Sequence, residues 1–271
     1  MAVTFDTALL DFAVVVAFAM AAILLRALDN RGFLASFLVG FSIIVGGGIG
    51  WFVIVAVFFA LGVGFTWYKY EYKKRIGGAQ EKGGARNWPN ILANGGLASV
   101  FAVAEFTIGG SVFAVLFLGA IATAAADTVA TELGLLSRSR PKLITSPSTT
   151  VSPGTSGGVT LLGFGGAMLA SGVIGVMAVL LGIISNPVPV FAVCLFGGVV
   201  GAVFDSLLGA VVQRRGYCVV CHRWTESLKH CGEPTVRTGG APFVENNVVN
   251  LLATLGGAVG ALALAVGLSL V

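Results

Sequence analysis

Along the chain, long apolar runs alternate with polar interruptions. Runs suited to cross a hydrocarbon core of about 30 Å as helices fall at Thr7–Leu28, Gly32–Gly47, Gly48–Tyr68, Ile91–Thr107, Ile108–Leu136, Gly158–Ile184, Val188–Val212 and Val248–Val271. Gly32–Tyr68 is one unbroken run. As a single helix it would measure roughly 55 Å, too long for the core, so a break at Gly46-Gly47-Gly48 is expected. The expected fold class is all-α: a polytopic transmembrane helical bundle of about eight spans, a single integral membrane domain over 1–271. A small Cys/His loop interrupts it at 213–247.

Composition excludes a soluble domain: 56% of residues are apolar, 10% are charged and the mean hydropathy is +0.96. The 39 glycines suit close helix packing. No basic residue precedes the first run, so it reads as a span rather than a cleavable leader. With eight spans, the loops Arg26–Arg31, Lys69–Asn90, Ser137–Gly157 and Gln213–Asn247, with their helix ends, hold all 16 Lys and Arg residues. The positive-inside rule places them in the cytoplasm and both termini outside the cell membrane. Fusing the glycine hairpin into one span would put the basic Arg26–Arg31 loop on the wrong side. Orientation in the lipid membrane accounts for the net charge of +4, and no nucleic-acid partner is required.

Against this background a few polar residues stand out. Asp127 and Glu132 lie inside the fifth apolar run, where ionisable groups are costly and mark function. On a helix, Asp127, Thr128, Thr131 and Glu132 occupy a sector of roughly 140°, among small alanines that let a neighbour approach. A polar strip that merely glues helices is the plainer reading, although threonines alone would serve that at lower cost. Asp205, Asn94 and the group Glu245, Asn246, Asn247 and Asn250 fall at a similar depth in their spans. With no basic residue inside a span, Asp127, Glu132 and Asp205 require protons or a cation. Their hard oxygens suit Mg²⁺ shared with substrate phosphates, and a proton or Na⁺ relay is the competing use.

Gly154-Thr155-Ser156-Gly157-Gly158, before the sixth span, has the composition of an anion-binding turn at a helix N-terminus, or of a flexible loop. It lacks the Gly-Lys-Ser/Thr element of a Walker A motif. Arg86, Arg138, Arg140 and Lys142 are candidates for phosphate pairing, set against ordinary inside-positive decoration. In the last loop, Cys218, Cys221 and Cys231 with His230 match a tetrahedral structural zinc site; His222 abuts Cys221 and is the poorer fourth ligand. A cytoplasmic placement argues against a disulfide there. Cys194, within a span, reads as a small core residue. Glu105, Asp6 and Asp11 receive no role.

Several segments together resemble a known family. They are Arg86-Asn87-Trp88-Pro89-Asn90 with Asn94-Gly95-Gly96, Ala126-Asp127-Thr128 with Thr131-Glu132-Leu133-Gly134, and Gly154–Gly158. Asp205-Ser206-Leu207-Leu208-Gly209-Ala210 with Gln213, and Asn246-Asn247-Val248-Val249-Asn250, complete the set. From about Gly84 onward the chain resembles the integral-membrane family that includes the plant phytyl-phosphate kinase, and its cysteine loop resembles the insert of archaeal-type members. The resemblance implies a kinase transferring phosphate from a nucleoside triphosphate, CTP in the plant case, to an isoprenyl monophosphate such as phytyl or geranylgeranyl phosphate. Asp127, Glu132 and Asp205 would be catalytic. Arg86, Asn94, Thr128, Thr131, Gly154–Gly158, Ser206, Gln213, Asn246, Asn247 and Asn250 would bind substrate or nucleotide. The alternative is a cation- or proton-coupled transporter or flippase of a lipid or small anion. The single bank of long basic loops favours the enzyme, because transporters more often show matched inverted halves.

The charge pattern yields a direct expectation for topology. A cysteine introduced between Ser185 and Val188 should react with an impermeant reagent added from outside the cell; reaction only from the cytoplasm would overturn the orientation.

Overall fold

A computed structural model describes residues Phe5–His222 and Trp224–Val271. Its helices are α1 (Phe5–Leu24), α2 (Asn30–Gly47), α3 (Ile49–Trp67), the short α4 (Tyr70–Arg75), α5 (Trp88–Ile108), α6 (Ser111–Gly134), α7 (Leu161–Leu180), α8 (Pro187–Val211) and α9 (Asn246–Gly267). All but α4 are long and apolar enough to cross a membrane, giving eight candidate spans.

Local chemistry sets the span ends. Asp29 caps α2 by accepting from Gly32 N at 2.7 Å, and Thr160 caps α7 by accepting from Gly163 N at 2.9 Å. Asn87 caps α5, with Pro89 in the first turn where no amide is needed. The expected break in the long apolar run occurs at Gly48, whose φ of 81° ends α2 while its amide donates to Ile44 O.

Helix α6 is the hub, packing on α3, α5, α7, α8 and α9. In its spanning segment 72% of residues are buried, against 17% for α1, which lies at the periphery. At the crossing with α8 and α9, Thr123 Oγ1 donates to Gly119 O at 2.8 Å and lies 3.2 Å from Gly197 O. A Cβ at Gly257 would sit 1.8 Å from Thr123 Oγ1, so only glycine permits this approach.

The chain is not purely helical. The segment after α6 folds into β1 (Lys142–Leu143), β2 (Ser146–Thr150) and β3 (Gly158–Val159), in the order β2-β1-β3. The segment after α8 contains β4 (Arg215–Tyr217), β5 (Trp224–Thr225), β6 (Lys229–His230), β7 (Glu233–Pro234) and β8 (Val236–Gly239), as a β5-β4-β8 sheet and a β6-β7 hairpin. Strands this short and polar leave no hydrophobic periodicity to read. They also move one expected feature. The sixth span begins at Leu161, not Gly158, and β3 separates the Gly154–Gly158 turn from its N-terminus. That turn instead packs on the end of α8, where a Cβ on Gly157 would meet Ala210 Cβ at 2.5 Å.

Candidate functional site

The polar groups of α6 divide between two neighbourhoods. Thr128 and Glu132, one turn apart, face α3 and the loop that follows it. From α4, Lys73 reaches back to donate to Phe65 O at 2.6 Å, Thr66 O at 3.0 Å and Glu132 Oε2 at 2.5 Å. Those carbonyls close the last turn of α3, which has no helical donors for them. Thr66 Oγ1 also lies 3.1 Å from Glu132 Oε1. Lys73 and Glu132 are 0% and 2% exposed. The expectation that Glu132 lacks a basic neighbour is therefore corrected: a loop lysine folds inward and neutralises it. The Arg86 guanidinium lies alongside, near Gly62 and Thr128 and within Coulombic reach of Glu132. Its Nη1 donates to Asn90 Oδ1 at 3.1 Å. Asn94 belongs to this side, donating to Asn90 O at 2.9 Å rather than joining the acids of α6 and α8. Arg86, Asn90 and Asn94 head a narrow apolar groove of about 60 Å³ between α1, α2, α3 and α5, walled by Phe18, Phe52, Phe58 and Phe59.

Asp127 points the other way. Its carboxylate is within hydrogen-bonding distance of that of Asp205 on α8. Among the described residues, neither acid has a Lys, Arg or His within ion-pairing distance. Asn250 of α9, its amide turned so that nitrogen faces the acceptors, donates to Asp205 Oδ2 at 3.3 Å and to Asn246 O at 3.0 Å. Asn246 Oδ1 lies 3.5 Å from Gln213 Nε2. The chain thus brings Asp127, Asp205, Gln213, Asn246 and Asn250 together, while Asn94 and Glu132, expected at the same depth, lie on the other side of α6.

A third acid completes this group, and it is Glu226, which follows β5, rather than Glu132. Glu226 is within Coulombic range of Asp205 and accepts hydrogen bonds from Ser156 Oγ and the Gln213 side chain. Burial raises its pKa above the usual carboxylate value, and those two donors oppose the rise. Glu226 also lines a cleft of about 1080 Å³ at the loop end of the bundle. Arg75, Arg140 and Arg215 and the turn Gly154-Thr155-Ser156 form other parts of its wall. Of the other cationic candidates, Arg140 lines the cleft, whereas Arg138 and Lys142 do not; Thr131 is exposed, and Ser206 and Asn247 are half-buried.

Beyond the cleft, the ligand atoms of Cys218, Cys221, His230 and Cys231 lie within 4.8 Å of one another and could hold a metal. The amide of Cys221 is the main influence pulling the Cys218 thiol down to about 6, towards the thiolate a metal needs. His222 is engaged elsewhere, its Nδ1 lying 3.0 Å from Tyr217 Oη.

Lys73, Glu226, Arg75 and Arg215 carried no sequence signal. The first, third and fourth sit in ordinary basic stretches, and Glu226 lies in a polar loop.

Fold and site together define a class: an eight-span helical membrane protein with its polar machinery gathered at one end of the bundle. Within that class, the chain belongs to the family of integral membrane protein DUF92, which matches residues 13–258. It is similar to Protein PGR of Arabidopsis thaliana, 30% identical over 253 residues, covering 85% of this chain and 86% of the relative. It is 33% identical over 192 residues to the uncharacterized membrane protein MJ0933 of Methanocaldococcus jannaschii, covering 70% and 77%. To Protein VTE6, chloroplastic, of Arabidopsis thaliana it is 28% identical over 196 residues, covering 70% of this chain and 58% of that protein. No solved structure matches.

The two acid environments predict opposite responses. Glu132→Gln strands the buried Lys73 ammonium and should cost about 3–5 kcal/mol, seen as a lowered melting temperature in detergent; an unchanged value would show that the pair does not hold α3, α4 and α6 together. For Glu226 the shift is upward, so the folded state retains its proton more tightly than the unfolded chain. Its contribution is then largest at low pH and declines as pH rises from about 4.5 through the folded value. Metal-free melting curves should show that decline in the wild type and a shallower one in Glu226→Gln; identical slopes would place the carboxylate in water.

Proposed function

We propose that this protein is a Mg²⁺-dependent membrane phosphotransferase that moves a phosphoryl group from a nucleoside triphosphate, with CTP the first candidate, to an isoprenyl monophosphate such as phytyl or geranylgeranyl phosphate. The observation that carries the reading is the facing pair Asp127 and Asp205, with no cationic side chain among the described residues to pair with them, beside an arginine-lined cleft. Their oxygens, with the neighbouring Glu226, fit a hard divalent cation. Mg²⁺, when bound, supplies charge neutralisation across phosphate oxygens.

The chain's own residues supply the rest. Arg75, Arg140 and Arg215 pair with the donor phosphates in the cleft, while Gly154, Thr155 and Ser156 form part of its wall and Gly157 packs on α8. Arg86, with Asn90 and Asn94, receives the acceptor phosphate, and the apolar groove beneath takes the first part of the isoprenoid tail. That groove is narrow, and α1, the least buried of the candidate spans, forms one side of it. Thr128 and Thr131 border the acid sector of α6. Ser206 adjoins Asp205 in sequence, and Asn246, Asn247 and Asn250 frame the entry of α9. The attacking group is a phosphate oxygen already ionised at neutral pH, so positioning and charge stabilisation suffice without a strong general base. The positive-inside rule places this end in the cytoplasm, where the nucleotide is found.

Purified protein incubated with phytyl or geranylgeranyl phosphate, Mg²⁺ and each nucleotide should yield the lipid diphosphate by mass spectrometry. Asp127→Asn and Asp205→Asn should each lower the rate by more than about 100-fold without loss of melting temperature. Arg86→Gln should raise KM for the lipid more than for the nucleotide. Near-normal activity in both aspartate variants would refute the site. A wild type that makes no product but shows proton- or Na⁺-coupled uptake, lost in the same variants, would establish a transporter instead.

A further inference from the structure

The segment between α8 and α9 is folded without a hydrophobic core of its own. Val219, Val220, Trp224, Leu228 and Val236 are all exposed. Among its described residues the buried side chains are Gln213, Arg214, Cys218, Thr235 and, next to α9, Val244. A unit this small with most of its large apolar residues outside needs a cross-link or a metal to hold one conformation. Its cysteines are free thiols.

The thiols nonetheless converge. His230 Nδ1 lies 3.4 Å from Cys221 Sγ and 3.3 Å from Cys231 Sγ, and all four ligand atoms fall within 4.8 Å. Zinc bonds of about 2.3 Å to sulfur and about 2.0 Å to nitrogen set tetrahedral S···N edges of about 3.5 Å, close to these separations. The backbone is bent to make the convergence. His222 and Cys231 take φ of 57° and 54°, a region unfavourable for residues with side chains, and bonds to a shared metal would offset that cost.

Glu226 lies between the two halves of this ligand set, after β5 and before β6. Arg214, buried at the end of α8, donates to Glu226 O at 3.0 Å, Ser227 O at 2.9 Å and Thr235 Oγ1 at 2.9 Å. Its guanidinium therefore ties the middle of the loop to the bundle. Beyond it, the Glu226 carboxylate meets Ser156 on the turn after β2. The loop thus runs from a convergent ligand set, over a buried arginine, to an acid that faces Asp205.

We propose that Cys218, Cys221, His230 and Cys231 bind one structural zinc ion, and that this zinc-folded loop is an arm presenting Glu226 to the Ser156 turn and the Asp127–Asp205 pair. Four protein ligands leave the ion no open position, so its effect on the site is exerted through the arm. The zinc site stands independently of the phosphotransfer reading; only the use of Glu226 in donor binding rests on that reading.

The test uses the full chain in detergent and needs no turnover. Protein from zinc-supplemented cells should carry about one zinc per chain, and Co²⁺ added after zinc removal should give the visible bands of tetrahedral cobalt thiolate. Zinc below about a tenth of that, with no cobalt spectrum, would overturn the site. Cys231 is exposed, so Cys231→Ser removes a ligand with little packing loss. It should lose the metal and accelerate amide hydrogen exchange both in residues 218–234 and in the turn at 152–158. Loss of zinc with unchanged exchange at 152–158 would overturn the arm. If the variant does not fold, the metal count and cobalt spectrum of the wild type still decide the site.

Discussion

The cost of holding ionised groups inside a bilayer governs the arrangement around α6. This helix is the most buried span and carries two carboxylates, Asp127 and Glu132, at the end where the polar loops gather. Burying a carboxylate alone is prohibitive, and the two acids meet the cost differently. Glu132 has Lys73, two oxygens fully engaged and a guanidinium nearby, so its charge is spent inside the fold. Asp127 has another acid opposite it. Two carboxylates in contact require a proton or a cation between them. The first pair is complete as it stands, while the second needs a proton or a cation, and that difference sets the two acid environments of α6 apart.

The glycine packing serves the same end. Close approach of α8 and α9 to α6 at Thr123 brings the three helices together about one to two turns from the acids, so Asp205 and the asparagines of α9 converge on Asp127 at the loop end. Were side chains to separate these helices, Asp205 would lose its partner on α6. The α8–α9 loop and the α6–α7 loop then close over this point and line the cleft with arginines. Apolar spans below and cationic loops above set this polar group at the boundary between the two.

Much of this was legible from the sequence. The spans could be read because bilayer thickness imposes a minimum apolar length, and Gly48 because no single helix fits Gly32–Tyr68. Asp127 and Asp205 stood out because an acid is conspicuous against an apolar run. Lys73 did not, because a lysine in Tyr70–Arg75 looks like any basic loop residue until the chain folds back beneath α3. Glu226 was invisible for the same reason, being one charge among many in a polar loop, whereas Glu132 is conspicuous only because it sits in an apolar run. Composition suggested an anion-binding turn at Gly154–Gly158, but the two-residue strand β3 moves that turn away from a helix N-terminus and onto α8. Proximity created by tertiary folding has no local signature.

The division of the polar sector of α6 also bears on how two substrates could meet. Asp127 and Thr128 are consecutive, so their side chains leave the helix about 100° apart at one depth. On the phosphotransfer reading, the donor approaches from the Asp127 side, where Asp205, Glu226 and the arginine cleft lie. The acceptor approaches from the Thr128 side, where Arg86 heads the apolar groove. The reacting groups would then meet around the loop end of α6, one arriving from the aqueous cleft and one from the lipid. The Lys73–Glu132 pair lies between the groove and the loops and needs no substrate to complete it. It can therefore hold the end of α6 in place whichever ligand is bound, which a site fed from two phases requires.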